Sequence, residues 1–188
     1  MTALLLVGGL SRRMGADKAS LVLAGHPLWE RQIKVLRDLQ PASVWISART
    51  RPEWCPHDAG VIFDEPPSRG PLSGVAAALR RLKTTHLLVL AIDMPQMTAE
   101  FLRKLWSLTE PACGLIPRGR EIFEPLCAIY PAEAAGIAEL SLAGEDVSLQ
   151  AFASILVRDK RAKVYPLARE DNPLFHNVNT PADLLSSE

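Results

Sequence analysis

The sequence predicts an α/β protein with three layers (α/β/α), in which helices cover both faces of a mainly parallel sheet. Short apolar segments of strand length alternate with amphipathic segments of helix length along the 188 residues. Such alternation is typical of βαβ units, which build parallel sheets. The strand-length segments are apolar almost throughout, as strands buried on both faces are. A chain of this length suits a single domain, residues 1–188.

The elements of the first part of the chain follow from these two patterns. The predicted strands are residues 4–7, 44–48, 61–63, 87–92 and 114–116, and the predicted helices are residues 27–39, 72–82 and 98–108. In the first helix, Leu28, Ile33 and Leu36 fall near one helical face. Thr98 is a predicted N-cap of the third helix, after a turn at Pro95.

Beyond about residue 118 the pattern is less regular. The predicted elements there are a turn-rich segment at 118–124, a strand at 125–130, helices at 132–142 and 149–156, an edge strand at 164–167, and a short helix at 180–185 capped by Thr180. We expect this part, about residues 119–188, to add the second wall of a cleft to the same domain.

Charge and composition exclude several classes of protein. Lys and Arg number 21 and Asp and Glu number 21, so the formal net charge is zero, which argues against a nucleic-acid-binding protein. A hydrophobic fraction of 48% argues against disorder. No apolar run approaches the length of a membrane span, so no membrane partner is expected. The three cysteines are odd in number and widely spaced, which favours reduced thiols in a cytoplasmic protein.

The most informative segment is residues 6–18, L-V-G-G-L-S-R-R-M-G-A-D-K, which follows the first strand. Gly8 and Gly9 let backbone N–H groups approach a ligand closely, and Arg12, Arg13 and Lys18 supply positive charge. This combination suits a polyphosphate. The spacing is neither that of a Walker loop nor that of the dinucleotide fingerprint. The alternative is a tight turn with solvated arginines.

Two aspartates follow predicted strands. Asp93 follows residues 87–92 and is expected to project from the carboxyl end of that strand into the same crevice as the glycine-rich segment. A carboxylate beside phosphates suits Mg²⁺. A helix-capping role is the alternative, although Thr98 is better placed for it. Asp64 follows residues 61–63, and a surface-loop acid is the alternative there.

Five sequence blocks, in order along the chain, resemble the molybdenum cofactor guanylyltransferases, which belong to the wider nucleotidyltransferases with a Rossmann-like sheet. The blocks are residues 6–18, close to the family pattern L-A-G-G-x-S-x-R-M-G-x-D-K, then G-P-L-S-G at 70–74, D-M-P at 93–95, E-P-L-C-A-I-Y at 124–130 and N-V-N-T-P-A-D-L at 177–184. Val7 stands where the family has alanine. The resemblance implies a nucleotide-binding part at about residues 1–118 and an acceptor-side part at about residues 119–188.

The resemblance also implies roles for individual residues. The catalytic residues would be Lys18, Arg13 and Asp93, with Asp93 also the ligand of Mg²⁺. The nucleotide would contact Leu6, Val7, Gly8, Gly9, Lys18, Ser47, Asp64 and Asp93. Ser47 stands where the family has an asparagine, and a hydroxyl replaces only part of an amide's hydrogen-bonding capacity. Asn177 and Asn179 would bind the acceptor, with a turn-forming role as the alternative for Asn177.

The function that the resemblance implies is transfer of GMP from GTP to the phosphate of molybdopterin or molybdenum-molybdopterin, with release of pyrophosphate. Gly9 accompanies guanine use in the family. Residues 124–127 would line the acceptor cleft, with Cys127 as a small buried residue and not a nucleophile. A molybdoenzyme or a chaperone would be a further partner. The alternatives are a related nucleotidyltransferase that uses CTP or another phosphate acceptor, and a nucleotide- or cofactor-binding module without turnover.

Overall fold

A seven-stranded sheet forms the middle layer of the protein in the computed structural model, which describes residues 1–7, 18–63 and 68–178. The strands are β1 (Thr2–Leu6), β2 (Val22–Leu23), β3 (His26–Pro27), β4 (Val44–Ala48), β5 (Gly60–Phe63), β6 (His86–Ala91), β7 (Gly114–Arg118), β8 (Cys127–Pro131) and β9 (Ala162–Pro166). The sheet order is β5-β4-β1-β6-β8-β7-β9, and β2 pairs with β3 in a separate hairpin. β8 runs antiparallel to β6 and β7, whereas the other neighbouring strands of the sheet are parallel. The predicted mainly parallel sheet is confirmed.

Helices cover both faces of this sheet. They are α1 (Leu28–Arg37), α2 (Pro71–Arg81), α3 (Ala99–Ser107), α4 (Ala134–Ala143) and α5 (Leu149–Arg158), with 3₁₀ helices at Lys18–Ser20 and Arg169–Phe175. Buried side chains of α1 and α3 form one core with one face of the sheet. Buried side chains of α2, α4 and α5 form a second core on the opposite face. The three-layer α/β/α arrangement is therefore confirmed.

The central strands explain why their sequences are apolar without alternation. In β1, Ala3 and Leu5 point into the first core, while Leu4 and Leu6 point into the second. Every residue of β1 and of β6 is buried. A strand between two helical layers has no solvent-facing side, so its residues are mostly apolar, and the polar Thr2 and His86 occur only at the first positions of β1 and β6.

Most predicted elements are present, with small differences at their ends. Thr98 caps α3 as predicted, since its hydroxyl accepts a hydrogen bond from the Phe101 backbone N–H at 3.2 Å. β9 lies at the edge of the sheet, also as predicted. The predicted helix at 180–185 lies outside the described residues.

The β2–β3 hairpin was not predicted, and neither were the two 3₁₀ helices. Ala24 and Gly25 both have positive φ angles, 48° and 80°, at the two central positions of a tight turn that matches the twist of the paired strands. Pro27, which the sequence pattern assigned to the first helix, belongs to β3. Two-residue strands are too short to show an alternating pattern of apolar and polar residues. Alanine is also uncommon in such turns, whereas Asn or Gly at position 24 would have predicted one.

The strand directions bring many connections to one edge of the sheet, which we call the carboxyl edge. The parallel strands β1, β4, β5, β6, β7 and β9 all end there, and the antiparallel β8 begins there. Ligands bind at this edge in open α/β sheets. Within the described ranges, no helix has the length and apolar character needed to cross a membrane. All three cysteines, Cys55, Cys113 and Cys127, are free thiols, as predicted.

Candidate active site

An ion pair between Lys18 and Asp93 marks the centre of the carboxyl edge. Lys18 begins the 3₁₀ turn that precedes the hairpin, and Asp93 lies two residues beyond the end of β6. The Lys18 Nζ donates to Asp93 Oδ2 at 3.1 Å, and the two side chains are only 13% and 23% exposed. The structure thus joins the last residue of the glycine-rich segment to the aspartate, although 75 positions separate them in sequence. Their catalytic roles remain predictions.

The second carboxylate oxygen of Asp93 is available for another ligand. Asp93 Oδ1 is buried and has no hydrogen-bond partner among the described residues. A buried, unpaired carboxylate oxygen loses its hydration and gains stability from a cation or a hydrogen-bond donor. The described part of the chain contains no cluster of three or more His, Cys, Asp or Glu side chains able to hold a metal. A Mg²⁺ at Asp93 would therefore take most of its oxygen ligands from substrate phosphates and water, as this ion commonly does.

Two hydrogen bonds hold the backbone around Asp93 in place. The Val178 N–H donates to the Asp93 carbonyl at 2.9 Å. The Gln32 Nε2 on α1 donates to the Met94 carbonyl at 2.5 Å. Gln32 is 1% exposed, and Val178 and Met94 are equally buried. These bonds pin the chain directly at and after Asp93.

On the side toward β4, the described residues of the predicted nucleotide site are Leu6, Val7 and Ser47. The Val7 N–H donates to the Ser47 carbonyl at 3.2 Å, and the Leu6 carbonyl accepts from Ile92 at 3.0 Å. Ser47 is 2% exposed and Leu6 is 6% exposed, so both face the interior of the sheet, while Val7 is half-buried. Gly8, Gly9 and Asp64 of the predicted nucleotide site lie outside the described residues, and so does the predicted catalytic residue Arg13.

The segment that ends the described chain returns from the sheet edge to Asp93. After β9, the 3₁₀ helix Arg169–Phe175 packs on α3, where the Phe101 ring meets Tyr165 and Phe175 edge-to-face at 5.9 and 5.5 Å between ring centres. Asn177 follows and is exposed, while Val178 is fully buried against the Asp93 backbone. Asn177 is therefore exposed directly before the residue that bonds to the Asp93 backbone, and Asn179 lies outside the described residues.

The residues 124–127 lie one strand away from Asp93. The Leu126 carbonyl accepts from the Ala91 N–H at 2.8 Å, which joins this segment to the end of β6. Glu124 is half-buried, and desolvation raises the pKa of its carboxyl. Cys127 is fully buried, as predicted, and burial raises the pKa of its thiol, which disfavours the thiolate form. Because it is enclosed by protein, Cys127 does not line an open cleft.

Gln32 is the residue near this site that sequence reasoning missed. It lies four residues after Leu28 and four before Leu36, so it occupies the apolar face of α1. A polar side chain at such a position must find a partner inside the protein, and here the partner is the Met94 carbonyl. A polar residue on the otherwise apolar face of α1 was therefore the sequence feature that could have identified Gln32.

The geometry places a lysine–aspartate pair at the carboxyl edge of a Rossmann-like sheet, and comparison with known proteins shows the family to which the chain belongs. Residues 3–161 match the family described as the MobA-like NTP transferase domain. A probable molybdenum cofactor guanylyltransferase of Opitutus terrae is 38% identical over 95% of this chain and 90% of its own length. The chain belongs to the molybdenum cofactor guanylyltransferase family. It is a nucleotidyltransferase.

Further relatives support the assignment over the whole length of the chain. The molybdenum cofactor guanylyltransferase of Cereibacter sphaeroides is 34% identical over 98% of this chain and 94% of its own length. The crystal structure of molybdopterin-guanine dinucleotide biosynthesis protein A from Archaeoglobus fulgidus superposes with a TM-score of 0.73 at 28% identity, covering 100% of this chain and 97% of that one. The resemblance seen in the five sequence blocks is confirmed, and so is the Rossmann-like nucleotidyltransferase fold.

Proposed function

We propose that this guanylyltransferase-family protein transfers GMP from GTP to the terminal phosphate of molybdopterin or molybdenum-molybdopterin, and that it does so in the cytoplasm. The Lys18–Asp93 pair carries the proposal, because it places a cation and a carboxylate with one unpaired oxygen at a single point of the carboxyl edge. A polyphosphate needs both kinds of group, the cation for its own charge and the carboxylate for the metal that accompanies it.

The reaction forms a bond between an oxygen of the acceptor phosphate and the α-phosphorus of GTP, and breaks the bond from that phosphorus to pyrophosphate. The acceptor oxygen is already anionic, so the protein needs to supply neither a nucleophile nor a strong base. Catalysis then depends on positioning and on neutralising the charge that develops on the leaving pyrophosphate. Lys18 supplies positive charge at that point, and we assign the same role to Arg13.

Asp93 would hold the metal through Oδ1, its buried and unpaired oxygen, while Oδ2 remains with Lys18. When bound, Mg²⁺ would neutralise phosphate charge and orient the α-phosphate. The hydrogen bonds that the Gln32 side chain donates to the Met94 carbonyl and the Val178 N–H donates to the Asp93 carbonyl keep the carboxylate in place. Asn177 and Asn179 would bind the acceptor from the same side as Val178.

The test is pyrophosphate release from GTP, Mg²⁺ and molybdopterin by the purified protein and two variants. Lys18→Ala and Asp93→Ala should each lower turnover by roughly 10²- to 10³-fold, because each removes a charge contact made in the transition state. Lys34→Ala is the matched control, since Lys34 also pairs with an aspartate, Asp38 at 2.9 Å, but is 74% exposed on α1. Near-normal turnover in either site variant would refute the site.

The choice of nucleotide is tested separately by thermal stabilisation with Mg²⁺ and GTP, CTP or ATP. A ligand at 100 times its Kd stabilises the folded state by about 2.7 kcal/mol, which separates a preferred nucleotide from the others. We expect GTP to raise Tm most. An equal response to all three nucleotides would contradict guanine specificity, and a larger response to CTP would favour the cytidylyltransferase alternative.

A further inference from the structure

Glu124 combines a rigidly held backbone with a carboxylate that has no partner. Its N–H donates to the Pro117 carbonyl at 2.7 Å, and its own carbonyl accepts from the Cys127 N–H at 3.0 Å. The next residue is fixed too, since the buried Tyr130 hydroxyl donates to the Pro125 carbonyl at 2.6 Å. The side chain of Glu124 makes no hydrogen bond or ion pair with any residue in the described ranges, and the pKa of its carboxyl is raised by desolvation alone.

This arrangement leaves the carboxylate partly desolvated but open to a ligand. A half-buried carboxylate without a donor has lost part of its hydration and has gained no protein contact in return. Sites with such a group are common where a ligand supplies the missing partner. The Arg118 guanidinium, which lies on the neighbouring strand, does not serve, because it stacks on the Phe123 ring at 5.0 Å.

The position of Glu124 indicates which substrate meets it. Cys127 pairs with Leu90 across β8 and β6, so Glu124, at the start of the turn before Cys127, lies in the connection that enters β8 at the carboxyl edge, the same edge at which Asp93 follows β6. β1, which leads into the glycine-rich segment, and β4 and β5, which carry Ser47 and lead to Asp64, lie on the opposite side of β6. GTP bound across that half with its α-phosphate at Asp93 leaves the β8–β7 half for the acceptor.

We propose that the Glu124 carboxylate binds the pterin ring of the acceptor through the 2-amino-4-oxopyrimidine edge. That edge presents two parallel N–H donors, the ring N–H and the exocyclic amino group, which match the two oxygens of a carboxylate. The inference rests on the proposed function, because it takes the acceptor to be a pterin phosphate. The inference assigns recognition of the pterin ring to the Glu124 carboxylate, which is separate from the residues that bind the reacting phosphates.

The same donor edge occurs in guanine, so the experiment must separate the two substrates. Glu124→Gln keeps the size of the side chain but turns one of the two acceptor oxygens into a donor, which then opposes an N–H of the ring. Hydrogen bonds to a charged group contribute enough that we expect the KM for molybdopterin to rise roughly 10- to 100-fold. The KM for GTP should stay unchanged, as should both constants in Glu121→Gln, which alters an exposed carboxylate on the same loop.

A binding measurement keeps the test independent of turnover. Quenching of the fluorescence of 6-hydroxymethylpterin, a pterin without a phosphate, should show binding to the wild type and to Glu121→Gln and a loss of at least tenfold in affinity in Glu124→Gln. Unchanged pterin affinity and acceptor KM in Glu124→Gln would overturn the inference, and so would a rise in the KM for GTP alone. Absence of guanylyl transfer in the wild type would instead refute the proposed function.

Discussion

The Lys18–Asp93 pair predicts a measurable coupling between two residues that are far apart in sequence. The perturbation is a double-mutant cycle with Asp93→Asn, Lys18→Met and the combined variant. At 3.1 Å, two unit charges attract by about 5 kcal/mol with an effective dielectric constant of 20 and by about 1 kcal/mol in bulk water. The side chains are 13% and 23% exposed, so the environment lies between these limits.

Desolvation of both charges offsets much of this attraction. We therefore expect a coupling energy of about 1–2 kcal/mol, above the 0.2–1 kcal/mol of exposed pairs. Lys18 has contacts besides Asp93, and the cycle removes their contribution because they cancel between the parallel sides of the cycle. The coupling should weaken little between low and high salt, since partly buried pairs are poorly screened.

Urea unfolding followed by tryptophan fluorescence measures the four free energies of unfolding. Steady-state pyrophosphate release on the same samples measures whether Asp93→Asn loses roughly 10²-fold or more in turnover while remaining folded. Additive variants, with a coupling energy below about 0.3 kcal/mol, would show that the pair does not stabilise the fold. A coupling that disappears in high salt would show that the two charges are effectively in solvent.

Two further predictions concern groups near the site. Gln32→Met removes the buried donor to the Met94 carbonyl, so the free energy of unfolding should fall by about 1 kcal/mol, and turnover should fall as the backbone after Asp93 loosens. Urea unfolding and initial rates measure the two effects, and unchanged values would show that this hydrogen bond does not position Asp93. Burial raises the pKa of Glu124 above its ordinary 4.5, so the protonated carboxyl favours the folded state at low pH and this contribution is lost as pH rises through the raised pKa. The Tm of Glu124→Gln relative to the wild type should therefore be lowest at acid pH and should rise to a constant difference above the raised pKa, whereas a difference independent of pH would contradict the assigned cause.

The sequence predicted the layers of the fold because β1 and β6 are buried on both faces and their sequences are therefore apolar without alternation. It also predicted that Lys18 and Asp93 share a crevice, since the loops that follow parallel strands meet at one edge. No comparable sequence pattern predicts the tertiary contacts that single polar groups make. Nothing in the sequence shows that Gln32 reaches Met94, or that the Val178 backbone closes on Asp93, until the helices and strands are placed in space.

The sequence did not predict the β2–β3 hairpin or the environment of Glu124, for different reasons. A turn through Ala24 requires a positive φ angle that alanine adopts only when its surroundings impose it, so residue preference pointed elsewhere. Glu124 was placed in the acceptor wall as part of a sequence block, but its distinguishing property is the lack of a partner. Whether a carboxylate is paired depends on every neighbour in the fold.

Because β8 runs in the opposite direction to its neighbours, the connection between β7 and β8 lies at the carboxyl edge. In a sheet of parallel strands, the loop that follows each strand lies at the carboxyl edge, and the loop that leads into the next strand lies at the opposite edge. Each strand therefore contributes one loop to the carboxyl edge. Because β8 is antiparallel, the short connection from β7 lies wholly on the binding face and has both ends anchored in the sheet. The turn at residues 119–122, beyond the Arg118–Phe123 bridge, can therefore change in length or sequence without altering β1, β4 or β6, so this wall of the binding face can vary while the central strands stay the same.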